Sequence, residues 1–149
     1  MIGEMLMLSS SGILGIFLGA QLTEAFLFVP YWKAMDADDF FGFYQKYGKH
    51  IHQFFAPLTI VATLVPLITV GYGLIYHPED HLVLGLMGTS TLAFFSSFFL
   101  YFRKANEGFA TRNIADESLP AELTRWGNWH WGRVGFESVA FVCSLVLQF

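Results

Sequence analysis

Residues 54–76 read FFAPLTIVATLVPLITVGYGLIY, from Phe54 to Tyr76 without one charged side chain. About 20 apolar residues in a helix cross the hydrocarbon core of a bilayer. The run is too long and too continuous for a strand. A lone strand would also leave its backbone groups unpaired in lipid. Three further runs of this kind flank it, at about 10–29, 82–102 and 131–149. The first is expected to stop at Pro30, and the third is closed by Arg103 and Lys104. The first run has Glu4 and no Lys or Arg ahead of it, unlike a secretory signal.

The composition agrees. Of 149 residues, 54% are hydrophobic and 13% charged, with 17 Phe. An average soluble domain carries about 25% charged residues. A soluble globular enzyme, a disordered chain and a nucleic-acid binder are therefore poor readings, whereas a lipid-embedded chain is a good one. Cys143 is the single cysteine, so no disulfide framework and no cysteine-based zinc site exists.

The eight Lys and Arg residues order the topology. Lys33, Lys46 and Lys49 lie between the first two spans. Arg103, Lys104, Arg112, Arg125 and Arg133 lie after the third span or at the entry to the fourth. Positive-inside asymmetry places both long connections in the cytoplasm, of a bacterial inner membrane in the simplest reading. Both termini and the turn with His77, Glu79, Asp80 and His81 then lie outside. The expected fold is a single all-α domain, residues 1–149: an integral membrane four-helix bundle with N- and C-termini outside. Phe40, Phe43, Tyr44 and Tyr47 at helical spacing, after Asp36 or Asp38 as N-cap, predict an interfacial cytoplasmic helix between the first two spans. A helix starting at Ser118 and Pro120 would run on into the fourth span, with Trp126, Trp129 and Trp131 as an interfacial belt.

Ionisable residues inside a span are costly, so each is a functional candidate. Glu24 lies about 9 Å before Pro30 at 1.5 Å per residue. Trp126, His130, Arg133 and Glu137 fall within about 60° of one another on a helix, which lets Arg133 pair with Glu137. His52, Ala56, Thr59, Thr63 and Pro66 form a small, weakly polar face. Ser96, Arg103 and Asn106 share another. Gly15 and Gly19 mark a packing face. Glu24, His52, Asn106, His130 and Arg133 all lie toward the cytoplasmic ends of four antiparallel helices. That position suits a site.

Two chemistries fit. Carboxylate and imidazole suit iron, copper, zinc or manganese, and His52 with His130 can ligate a haem, although no local ligand motif specifies either. Without any cofactor, His130 can act as general base, Arg133 can stabilise an oxyanion or enolate, and Glu24 can orient the base or carry a proton. A flat apolar substrate would enter from the membrane, and its carbanion can react directly with dioxygen. A third reading is a non-catalytic subunit of a larger membrane complex, holding lipid or quinone and packing its aromatic surface against partner subunits.

Glu24 with Pro30, Asn106 just after the third span, and Trp126-x3-His130-x2-Arg133 resemble the small four-span membrane proteins that include the fungal anthrone oxygenases and many bacterial relatives. Those proteins often have a proline two residues before the asparagine, where this chain has Lys104. The resemblance implies a four-span bundle and oxidation of a small aromatic or quinone-like molecule without an evident cofactor.

Overall fold

The computed structural model describes the backbone of residues 1–149 and every side chain except that of Pro78. Among the described residues the structure is helical and holds no strand. Four long helices account for most of it: α1 (Ile2–Ala34), α2 (Ala37–Tyr76), α3 (His81–Ala110) and α4 (Leu119–Val146). The first three are long and apolar enough to cross a membrane. Helix α4 packs against α1 and α3, while α2 packs against the same two helices.

Helix α1 does not end at Pro30. A π-helical turn, Glu24–Phe28, precedes the proline, and the chain then continues as α-helix to Ala34. Within that turn the Val29 N–H reaches back five residues to the Glu24 carbonyl. Proline lacks an N–H and its ring crowds the carbonyl four residues earlier. A widened turn just ahead of it relieves both faults. Helix α3 holds a second π turn, Phe98–Phe102, where Arg103 N–H bonds to the Phe98 carbonyl. It too runs on past Arg103 and Lys104, to Ala110.

The expected interfacial helix is not a separate element. Asp36 caps the helix by accepting a hydrogen bond from the Asp39 backbone N–H at 2.9 Å, and α2 then runs without a break to Tyr76. Its first turns do not lay their aromatic face on lipid. Phe40 and Phe41 are fully buried against Trp32, Phe102, Phe109, Leu119, Leu123 and Trp126. This aromatic cap binds the ends of all four helices. Trp126 belongs to it, so only Trp129 and Trp131 of the expected belt are exposed. Trp129 stacks on Tyr101 at 5.1 Å, and Trp131 meets Phe26 edge-on at 5.1 Å.

At the opposite end, hydroxyls tie the helices together. Ser10 meets Thr69 at 2.7 Å, linking α1 to α2, and Ser11 donates to Ser144 at 3.0 Å, linking α1 to α4. Between the two ends lie the apolar layers of Leu14, Met87 and Ala140, and of Phe17, Ala62 and Phe94. Gly15 permits close approach of α4, since a Cβ there would lie 3.1 Å from the Phe141 ring. Gly19 faces open space, so only half of the expected glycine pair serves packing.

Candidate functional site

Beneath the aromatic cap, a cavity of about 310 Å³ opens between α2 and α3. Its apolar wall includes Ile51, Phe55, Ile60, Phe94, Phe95, Phe98 and Phe99. Its polar positions include Glu24, Tyr44, His52, Thr59, Asn106 and Arg133. Of the five residues singled out in the sequence, Glu24, His52, Asn106 and Arg133 therefore face one space. The fifth, His130, does not line it.

His130 sits behind the wall, fully buried. Its ring stacks on Trp126 at 5.0 Å and 16°, and Phe102 meets it edge-on. Nε2 lies 2.9 Å from the Gln21 backbone carbonyl, which only accepts, so Nε2 carries a proton and donates it. Nδ1 is then the one free nitrogen, and it faces a Glu24 carboxylate oxygen at 3.8 Å. That is ion-pair range, longer than a hydrogen bond. The order expected from the sequence, histidine toward the substrate and glutamate behind, is thus reversed. Glu24 faces the cavity, and His130 backs it.

The π turn explains Glu24's position. As its first residue, Glu24 is turned inward and is 5% exposed, while Phe26 and Leu27 face outward. Helix α4 brings Arg133 to the same wall, with its guanidinium 4.7 Å above the Phe102 ring. The expected Arg133–Glu137 salt bridge is not formed. Among the described residues no ion pair joins them, and neither oxygen of the fully buried Glu137 carboxylate has a hydrogen-bond partner. Arg133 interacts electrostatically with both Glu24 and Glu137. Its stem is spent on reaching the cavity wall and Phe102, which turns the guanidinium away from a direct fork onto Glu137. Two carboxylates, one guanidinium and one imidazole reach neutrality when one further proton is held among Glu24, Glu137 and His130 Nδ1. A low-dielectric interior favours that balance.

Asn106 lies within α3 and does not terminate it. Its Oδ1 accepts from Trp126 Nε1 at 2.9 Å, leaving the amide NH₂ as its remaining polar function. The predicted Ser96–Arg103–Asn106 face is split. Ser96 lines a different hollow with Trp129 and Gly132, while Asn106 lines the cavity. The π turn between them inserts one residue into the helical register and rotates the remainder of the helix by about 100°. On α2, His52, Ala56 and Thr59 line the cavity, and Thr63 is buried below them, donating to the Thr59 carbonyl at 2.8 Å.

Sequence reasoning did not single out Tyr44 as a wall residue, the Gln21 carbonyl as the anchor of His130, or the two π turns. Pro30 was a signal for the first turn. Nothing in FFLYF announces the second.

As for metals, His130 presents one nitrogen to a carbonyl and the other to Glu24, while His52 is exposed at the rim. Among the described residues, one group of three metal-type donors has its ligand atoms within 4.8 Å of one another: His77, Glu79 and Asp80, in the turn between α2 and α3 at the far end. The turn is 3-10 at Pro78–Asp80 and carries a His77–Glu79 contact of 3.5 Å. Comparison with family models, characterised proteins and solved structures found no match to this chain.

Proposed function

We propose that this protein is an anthrone oxygenase-like membrane enzyme that removes a proton from a small apolar, aromatic or quinone-like molecule and exposes the carbanion to dioxygen. The observation that carries the reading is the Glu24 carboxyl on the wall of an aromatic cavity, with Arg133 beside it and His130 sealed behind. Glu24 is the base. His130 is a positioning residue whose Nδ1 takes the proton from Glu24 once the 3.8 Å between them closes to hydrogen-bond distance. Arg133 stabilises the enolate oxygen, and the Asn106 NH₂ donates to the substrate. The carbanion passes its electrons to dioxygen and forms a hydroperoxide. Loss of water then gives the ketone, so R₂CH₂ and O₂ become R₂C=O and H₂O. The chemistry calls for no cofactor beyond dioxygen.

The same proposal includes the topology. Helix α4 is a fourth span, both termini lie outside, and the cap end faces the cytoplasm of a bacterial inner membrane. Phe136, Val139, Val142 and Val146 give α4 an exposed apolar face like those of the other helices. Reporter fusions at each terminus and near Asp116 test it.

Oxygen uptake by the protein in nanodiscs, with an anthrone as substrate, tests the chemistry. Glu24→Gln is expected to lower turnover by about 10²-fold or more, the usual size of a general-base effect. His130→Gln is expected to shift the pH profile. Full turnover by Glu24→Gln, in a variant that still assembles, rejects the mechanism. No turnover in the wild type, together with a stoichiometric partner after gentle purification, replaces it with the accessory-subunit reading.

A further inference from the structure

The cavity continues toward the cap end. A second hollow, of about 420 Å³, shares Tyr44, Gly48, His52, Phe98 and Asn106 with it. The chemistry changes across that shared wall. The inner space is walled by phenylalanines, whereas the outer one adds Gln45, Lys49, Arg103 and Glu107. Lys49 comes from α2 and Arg103 from α3, and both are exposed. Among the described residues neither belongs to an ion pair. Two cations from different helices thus face one hollow with a single carboxylate, Glu107, among them, and His52 stands at the junction. At its other end the inner cavity reaches Ile60 and Phe99, which are exposed on the lipid-facing side of the α2–α3 seam.

We infer that the two hollows form one site for a single-chain or fused-ring amphiphile with a carboxylate head. The apolar body lies among Phe55, Phe94, Phe95 and Phe99, and the carboxylate lies between Lys49 and Arg103. Three features select this class. Lys49 and Arg103 against Glu107 leave one net positive charge, which matches a monoanion. An inner cavity of about 310 Å³ is at the small end of small-molecule sites, which suits one chain or one ring system rather than two acyl chains. An amphiphile in the leaflet already holds its head at the interface and its body in the hydrocarbon. It can slide through the α2–α3 seam without inverting or dragging its charge through lipid. The inference names the ligand of the site proposed above, but it rests on the shape and charge of the cavity and not on the oxidation.

The test is photo-cross-linking in phosphatidylcholine nanodiscs with a saturated fatty acid carrying a mid-chain diazirine, with adducts mapped by mass spectrometry. Expected adducts fall on Phe55, Phe94 and Phe95, which line the cavity and are not exposed on the helix faces. Palmitate competes, and its methyl ester and hexadecyltrimethylammonium do not. The surface variant Lys49→Gln/Arg103→Gln needs about tenfold more probe for half-labelling, the scale of losing a charge-assisted contact. Equal competition by the ester, wild-type labelling of the double variant, or adducts spread over the exposed helix faces overturns the inference. Labelling and oxygen uptake are separate readouts of the same protein. Selective labelling without oxygen uptake therefore rejects the chemistry alone, and oxygen uptake without selective labelling rejects the ligand class alone.

Discussion

Replacing Phe40 with alanine separates two pictures of the segment just after Asp36. In the structure Phe40 is fully buried. Its ring lies 5.1 Å from Phe109, 5.6 Å from Phe41, 5.8 Å from Tyr44 and 6.3 Å from Trp32. Truncating a buried Phe costs about 3–5 kcal/mol, through lost transfer energy and the cavity left behind. Phe40→Leu keeps most of the volume and loses the ring pairs, each of about 0.5–1.5 kcal/mol and not fully additive. An effect of about 1–2 kcal/mol is expected for it. Tyr47 lies two turns further along α2 and is 42% exposed, with Phe43 at 5.1 Å and Lys46 over its ring. Tyr47→Ala is expected to cost less than about 1 kcal/mol. If the segment instead lay on the leaflet, Phe40 would face acyl chains and its loss would resemble that of Tyr47. Reversible unfolding in mixed micelles, with all three variants under one condition, gives the comparison. A Phe40→Ala effect below about 1 kcal/mol, or one equal to that of Tyr47→Ala, would refute the docked arrangement and the cavity roof built on it.

Two further substitutions probe the roof and the nearby connection. A Cβ at Gly48 would lie 2.8 Å from the Tyr44 ring, which Phe40 and Phe109 hold in place. Gly48→Ala should therefore push Tyr44 into the two hollows, cost about 1–3 kcal/mol, and weaken labelling by the diazirine probe; undiminished labelling would show that the ring yields elsewhere. Arg112 ends α3 at φ 49°, with Asn113 N–H bonding to the Gly108 carbonyl, and its guanidinium pairs with Asp38 and Asp116 on the surface. Arg112→Gly relieves the left-handed backbone and forfeits both the pairs and the guanidinium contact over the Phe41 ring at 5.0 Å. High salt screens the exposed pairs, so the variant should compare better with the wild type in high salt than in low salt, and a melting difference independent of salt would contradict a contribution from the pairs.

The first three apolar runs were legible as helices of membrane length because apolar length is a one-dimensional property. Their ends were less so. Pro30 and the Arg103–Lys104 pair both read as stops, yet each helix continues, because a widened turn removes the fault that a proline introduces and because basic side chains can lie on a helix beyond the apolar run. The aromatic spacing from Phe40 to Tyr47 correctly gave a helix. Spacing says which residues share a face but not what covers that face, and here Phe109 and Trp126 cover its Phe40 end while Tyr47 stays exposed. The polar residues of the site were legible one by one, since charge in an apolar run stands out. Their order was not. Whether Glu24 or His130 meets the cavity depends on the Gln21 carbonyl claiming Nε2, and a backbone acceptor leaves no trace in sequence.

The two π turns join these observations. Glu24 opens one of them, and Phe98 and Phe99 belong to the other, and all three residues line the same cavity from opposite helices. In a regular α-helix, residues seven apart share a face, so Ser96 would lie above Arg103 and a single side of α3 would carry both. The extra residue breaks that continuity. Below the turn α3 presents Ser96 toward α4, and above it Arg103 and Asn106 face the hollows beside α2. On α1 the equivalent turn brings Glu24 inward while letting the helix run on past Pro30 to bury Trp32 in the cap. Each π turn gives up regular hydrogen-bond geometry, a cost that packing of the cap offsets. Restoring α-helical register in α3, by deleting one residue among Phe98–Phe102, should swing Arg103 and Asn106 away from α2. That deletion would abolish carboxylate selectivity in the cross-linking experiment even in a chain that still inserts and folds.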